Sequence, residues 1–187
     1  MHADVYREKE LGLRLIEWLE PYPVDLTADT KASPDDMPAL ISIGDGRLRF
    51  NVDLGSLGGA CTVVCHDIGH FLTVPRANLA KANIGLSTKA FADFDLGPGK
   101  PETIAEEDAM ALQVVLIRHL CPDYSPQIID NLIRISSTIF RATKGAIQAK
   151  IAAATYEGIL AEWEARMELV RATEAPSLED SLLALLG

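Results

Sequence analysis

The chain is short of several things at once. Its 187 residues include three cysteines, Cys61, Cys65 and Cys121. An odd number without regular spacing is no disulfide framework, and it points to a reducing compartment. No apolar run approaches the roughly 18 residues a membrane-spanning helix needs, so no membrane segment is expected. The charged, amphipathic opening MHADVYREKELGLRLIEWLE has neither an apolar h-region nor a small-residue cleavage site, unlike a secretory signal. Together these predict a cytoplasmic protein. Positive charge is also scarce: 17 Lys and Arg stand against 27 Asp and Glu, a formal charge of −10. The basic residues are scattered, so no patch offers itself to a nucleic-acid backbone, and no nucleic-acid partner is expected. The same field tolerates a metal cation or a basic peptide.

What is present describes a packed domain. With 48% hydrophobic and 24% charged residues and 10 prolines, global disorder is excluded, and one domain over 1–187 is the expectation. Residues 3–20 read as a helix, with Val5, Leu11, Leu13, Leu15, Ile16 and Leu19 near helical spacing. The segment EPYPVDLTADTKASPDDMPA, with its prolines and small polar residues, reads as a connection. ALISI and RLRFNVD read as short strands joined by a Gly-Asp-Gly turn, because Leu48, Phe50 and Val52 alternate with Arg49, Asn51 and Asp53. A helix is predicted over 57–73, closed by Pro75, with an apolar face of Leu57, Cys61, Val64, Cys65, Ile68 and Leu72. The span to the GPGKP cluster at 97–101 is mostly connection. A second, acidic helix follows over 102–120 and breaks at CPDYSP. Residues 126–172 are helical, as one broken or two packed helices, and SLEDSLLALLG carries a weak capping-box pattern from Ser177 to Asp180. The expected class is α+β, a small N-terminal sheet beside a helical majority.

The chemistry sits in CTVVCHDIGHFLTVP, residues 61–75. His66 and His70 are four apart, so a helix puts both imidazoles on one face, one turn apart. They can supply two vertices of a zinc tetrahedron. Asp67, roughly 100° around the helix from His66, can reach a metal-activated water and take its proton. Gly69 leaves room for a neighbouring backbone.

HDIGH resembles the HExxH motif of zinc metallopeptidases, in its HExGH form, preceded here by the strand-like RLRFNVD and the apolar approach GGACTVVC. EEDAMALQVVLIRHL, residues 106–120, resembles the later helix that supplies a glutamate ligand in small cytoplasmic proteins related to phage repressor-cleaving and stress-response factors. The resemblance covers about 42–120, and leaves residues 3–20 as an N-terminal helix and 126–187 as a helical extension. It implies a zincin-like fold and a Zn2+-dependent peptidase in which a metal-bound water attacks a peptide carbonyl, with His66, His70 and Glu106 on the metal and Asp67 as general base. Glu106 extends the stripe Ala109, Gln113, Leu116 and Leu120 by one turn; Glu102 and Asp108 are rivals for the third ligand, and Glu107 is expected to be solvated. The chain departs from the pattern in having Asp67 where the family has glutamate. One methylene withdraws the carboxylate by about 1 Å, a displacement worth about 10²-fold in rate.

Other readings stand beside this one. A metallopeptidase-like scaffold without catalysis would bind a peptide or protein partner. HDIGH also resembles the His-Asp pair of HD-type metal-dependent phosphohydrolases, which needs an earlier histidine, here His2, and a late aspartate among Asp93, Asp95, Asp108 and Asp123. Cys61 and Cys65 with a histidine are a weaker metal set, and buried thiols account for them. The plainest alternative makes His66 and His70 half-buried helix residues without a metal. His119 is expected to cap its helix; Tyr124 and Tyr156 are expected to pack in hydrophobic layers, with help to a carbonyl oxyanion as the lesser reading; and Asn83 and Gly85 shape a cleft through a turn or form a plain sharp loop. Trp18 and Trp163 read as packing anchors.

Overall fold

A computed structural model describes residues 2–29, 41–53, 60–79, 83–84 and 96–173. The 177–187 segment and Gly85 lie outside the described residues. Helix α1 (His2–Leu19) buries Leu11, Leu15 and Leu19, spaced four apart, whereas Leu13 and Ile16 face outward. The seam is therefore narrower than the apolar pattern suggested.

A four-stranded sheet follows, ordered β1-β3-β2-β4. Strands β2 (Ile41–Gly44) and β3 (Arg47–Asp53) form the expected hairpin. Asp45 and Gly46 both take positive φ, 56° and 69°, which gives a two-residue turn the twist a hairpin favours. The alternation in β3 holds at its centre: Leu48 and Phe50 are fully buried, and Arg47 and Arg49 point the other way. Strand β1 (Val24–Asp29) was expected to be connection. It instead pairs parallel with β3, Asp25 opposite Arg49, and the Asp25 carboxylate takes Arg47 at 2.6 Å and Arg49 at 3.5 Å. A two-residue β4 (Asn83–Ile84) completes the sheet in a span read as connection.

The rest is helical: α2 (Ala60–Thr73), the short α3 (Arg76–Leu79), α4 (Pro101–Leu120), α5 (Pro126–Ile139), α6 (Lys144–Ala153) and α7 (Tyr156–Arg171). The C-terminal region is thus three helices. The two later breaks are fixed by Thr143 and Thr155, whose hydroxyls accept from Ala146 N and Gly158 N as N-caps. Pro101 opens α4 at a position where a missing N–H costs nothing. Helix α4 is central: it touches α1, α2, α5, α6 and α7, and its most extensive partner is α2.

Trp163 on α7 is fully buried and anchors an aromatic cluster, with ring centroids 4.8 Å from Trp18, 5.5 Å from Tyr22 and 5.3 Å from Phe71. Because Phe71 follows His70, the C-terminal helix braces the histidine helix directly. Arg166, also on α7, donates through Nη1 to the Phe71 and Val74 carbonyls at 2.7 and 2.6 Å, satisfying backbone acceptors that the end of α2 leaves open. At the other end of α2, Glu8 of α1 accepts from Cys61 N at 2.9 Å and from the Tyr124 hydroxyl at 2.8 Å, placing an anion where the helix dipole favours one. The architecture is a small mixed sheet beside a helical majority, an α+β arrangement.

Candidate metal centre

Helix α2 is buried along Val64, Cys65, Ile68 and Leu72, as its apolar face predicts. Its glycine explains how close α4 comes. A Cβ on Gly69 would stand 2.5 Å from the Ala109 carbonyl oxygen and 2.8 Å from the Ala109 Cα. The two helices therefore cross at Gly69 and Ala109. Glu106 lies three residues before Ala109 on α4, and His70 adjoins Gly69, so the crossing carries a carboxylate onto the histidine face.

The three side chains converge. His66 Nε2 is 3.0 Å from His70 Nε2, His66 Nε2 is 3.3 Å from Glu106 Oε2, and His70 Nε2 is 3.2 Å from Glu106 Oε1. Glu106 is 4% exposed. Three ligand atoms on bonds of 2.0–2.1 Å in a tetrahedron would be separated by about 3.3 Å. The observed triangle is close to that size. Without a cation, protons must bridge two imidazole nitrogens and a carboxylate crowded within one contact distance of each other. The cluster of His66, His70 and Glu106 is capable of coordinating a metal ion, with His70 and Glu106 buried and His66 partly exposed.

The titration behaviour follows from the crowding. Burial alone would push the Glu106 carboxyl up, but the hydrogen bonds and charge of His66 and His70 override it and hold it at about 2. Burial would lower His66, yet its hydrogen bond to Glu106 and the Glu106 and Asp67 charges raise it. His70 is lowered, because burial and the neighbouring His66 outweigh what Glu106 returns. The two rings thus move in opposite directions from one ordinary value. Asp67 is 2% exposed, with Oδ2 unpartnered. Burial pushes it up to about 7, with Glu106 adding and His66 opposing.

Among the rivals for the third ligand, Glu102 and Asp108 are outside the cluster. Asp108 instead takes Lys150 at 2.5 Å. Glu107 was expected to be solvated and is 6% exposed; its Oε1 accepts from Thr143 N at 3.1 Å, where α6 begins. Asp67 is not part of the cluster, and neither Cys61 nor Cys65 is, so neither the adjacent His-Asp ligand pair of an HD-type site nor a thiolate site is assembled among the described residues. Burial, with Glu8 next to it, pushes the Cys61 thiol up to about 11, and burial raises Cys65 as well, as suits inert thiols.

The tyrosines are occupied elsewhere. Tyr124 donates to Glu8, and the Tyr156 hydroxyl accepts from Trp18 Nε1 at 3.0 Å. His119 is exposed and stacks on the Tyr156 ring, with centroids 3.3 Å apart, rather than serving as the expected cap: the α4 C-cap is Cys121, whose N–H reaches Ile117 O. Sequence reasoning took Gln113 for a stripe residue. It is 2% exposed and donates to Thr62 O at 2.6 Å. Its polarity on an otherwise apolar stripe was the available signal.

Comparison with protein-family models, with curated proteins and with solved structures returns no match. No described helix is long and apolar enough to cross a membrane.

Proposed function

We propose that this chain is a zinc-dependent hydrolase of the zincin-like, metallopeptidase kind, acting on a peptide or protein, with its working core at about 42–120 and the later helices as a brace. One observation carries the reading: the donor atoms of His66, His70 and Glu106 lie 3.0–3.3 Å apart at the crossing of α2 and α4. Two imidazoles and a carboxylate are a donor set that suits zinc and leaves a fourth position for water or substrate. When bound, such an ion supplies Lewis-acid activation of water and of a carbonyl. The chain's residues do the rest. His66 and His70 would hold the ion from one helix face, and Glu106 would hold it from the second helix while neutralising part of its charge. Asp67, next to His66 and poorly solvated, would serve as the general base that takes up a proton from water. With its scattered basic residues and cysteines left as thiols, the chain suits a cytoplasmic role without nucleic acid.

One observation favours a second reading, a metal-holding scaffold that binds a protein partner. Asp67 is a methylene shorter than the glutamate of the HExxH pattern and is 2% exposed, so its reach toward a substrate is short. The two readings part in one experiment. Protein purified without added metal is assayed by elemental analysis and for hydrolysis of a mixed peptide library. The hydrolase carries about one zinc per chain, cleaves peptides, and loses cleavage but not zinc in Asp67→Asn. The scaffold carries zinc without cleavage. Metal content unchanged in His66→Ala and Glu106→Gln would end the assignment of this site.

A further inference from the structure

We propose that Arg166 is the positioning residue of His70: from α7 its guanidinium supplies the hydrogen bonds that Pro75 denies the last turn of α2, and so holds the backbone of the metal-binding histidine in place. The inference rests on the metal-centre reading and adds to it a residue from outside the 42–120 core.

The need for such a donor can be read from the chain order. In a helix each carbonyl takes its N–H from four residues ahead. For the Phe71 carbonyl that residue is Pro75, which has no N–H to give. Arg166 fills the gap. Its Nη1 carries two hydrogens, one for Phe71 O at 2.7 Å, in a buried bond, and one for Val74 O at 2.6 Å. Val74 in turn donates its N–H to the His70 carbonyl at 3.1 Å, and the Thr73 hydroxyl donates to the same oxygen at 3.0 Å. One side chain thus holds both the residue that follows His70 and the residue bonded to its carbonyl.

That side chain is itself fixed. Arg166 is 4% exposed, and its Nε donates at 2.6 Å to Oε1 of Glu162, one turn earlier on α7. Arg76 Nε reaches the same oxygen at 3.0 Å, so the Val74–Pro75–Arg76 turn is tied to α7 on both sides of the proline. On the other side of His70, Gly69 lies against Ala109 of α4. His70 therefore stands between two anchored neighbours, one set by the helix that carries Glu106 and the other by α7. Outer partners that orient metal ligands carry about 10–100-fold of metal affinity, and Arg166, acting through the backbone, belongs at the lower end of that range.

The test uses the full chain, titrated with zinc and with cobalt(II) as a visible probe of ligand geometry. Arg166→Met keeps an apolar stem and removes the donors. It is expected to weaken zinc binding about 10-fold and to alter the cobalt(II) absorption bands, with the circular dichroism of wild type. Ile147→Val, fully buried in α6, controls for lost stability alone and should leave both readouts as in wild type. Coupling between two sites is reciprocal, so zinc should slow hydrogen exchange at the Arg166 guanidinium and leave that of the exposed Arg14 unchanged. An Arg166→Met protein with wild-type zinc affinity and cobalt(II) spectrum overturns the inference. Equal losses in Arg166→Met and Ile147→Val also overturn it, because they mark a purely structural role. If Arg166→Met does not fold, exchange in wild type decides, and an Arg166 guanidinium indifferent to zinc overturns the inference. A wild type that binds no zinc overturns the metal centre itself, whereas zinc binding with both Arg166 readouts flat overturns this inference alone.

Discussion

Gly69 on α2 meets the backbone of Ala109 on α4 so closely that a methyl group at Gly69 would lie 2.5 Å from the Ala109 carbonyl oxygen. This contact sets the spacing of the two helices that carry the donors. Widen it, and Glu106 moves away from both histidines together. The glycine in HDIGH is therefore a requirement of the site's geometry, though it supplies no ligand.

Gly69→Ala is expected to destabilise the chain by about 1–3 kcal/mol or more, as overpacking does, and to reduce zinc content along with stability. Gly145→Ala is the matched control. Nothing lies within 4 Å of a Cβ there, and Gly145 sits inside α6, so alanine should be neutral or stabilising by up to about 1 kcal/mol. Chemical denaturation with metal analysis of both variants checks this. A Gly69→Ala protein as stable and as metal-loaded as wild type would show that the helices do not need this approach.

Glu106 and Glu107 are adjacent, and both are buried, yet they have different work. Glu106 faces the histidines, and Glu107 holds Thr143 N at the start of α6, with Lys150 3.8 Å away. Glu106→Gln is expected to lose metal with a modest change in stability. Glu107→Ala should keep the metal and lose about 1–3 kcal/mol, since it strands a backbone N–H. Metal content and melting temperature, measured on both, should cross over. Equal metal loss in the two variants would refute the division.

Glu162 gives the clearest pH dependence away from the site. The Arg76 guanidinium first, and then Arg166, hold its carboxyl below the ordinary 4.5 against the opposing pull of burial. A carboxyl lowered on folding adds stability that is complete above its unfolded value and is lost as pH falls through the folded one. The stability gap between wild type and Glu162→Gln should thus be widest near neutrality and close in acid. Glu162 is 32% exposed, so salt should narrow the gap as well. A gap that stays flat from neutral to acid pH would remove Glu162 from this role.

The site was more legible than the fold, for physical reasons. His66 and His70 could be placed because a four-residue spacing is local and a helix converts it directly into a shared face. Glu106 followed from a stripe on one helix, although Glu102 and Asp108 remained open until α4 was seen crossing α2 at Gly69. Strand β1 was missed because its partner β3 pairs with it from more than 20 residues away and because Pro21 and Pro23 read as a connection. The breaks before α6 and α7 rest on Thr143 and Thr155, two ordinary threonines whose capping role local composition barely marks. Gln113 was placed on the inward stripe and is buried there, whereas Glu107, expected to be solvated, is buried as well. Periodicity says which residues face inward, but not which polar group waits there to meet them.

Asp67→Glu probes the departure from the HExGH pattern. If Asp67 is a base held back by one missing methylene, glutamate restores about 1 Å of reach, and a gain of up to about 10²-fold in peptide hydrolysis is expected. The larger side chain must enter a position that is 2% exposed, so the gain should come with a loss of about 1–3 kcal/mol. Zinc content should not change, because Asp67 is not one of the three clustered groups. Steady-state hydrolysis and denaturation of wild type and variant separate the cases. A faster, less stable enzyme means that the position is catalytic. A less stable protein with no gain in hydrolysis and its metal intact means that Asp67 fills space beside the site, and the scaffold reading then holds.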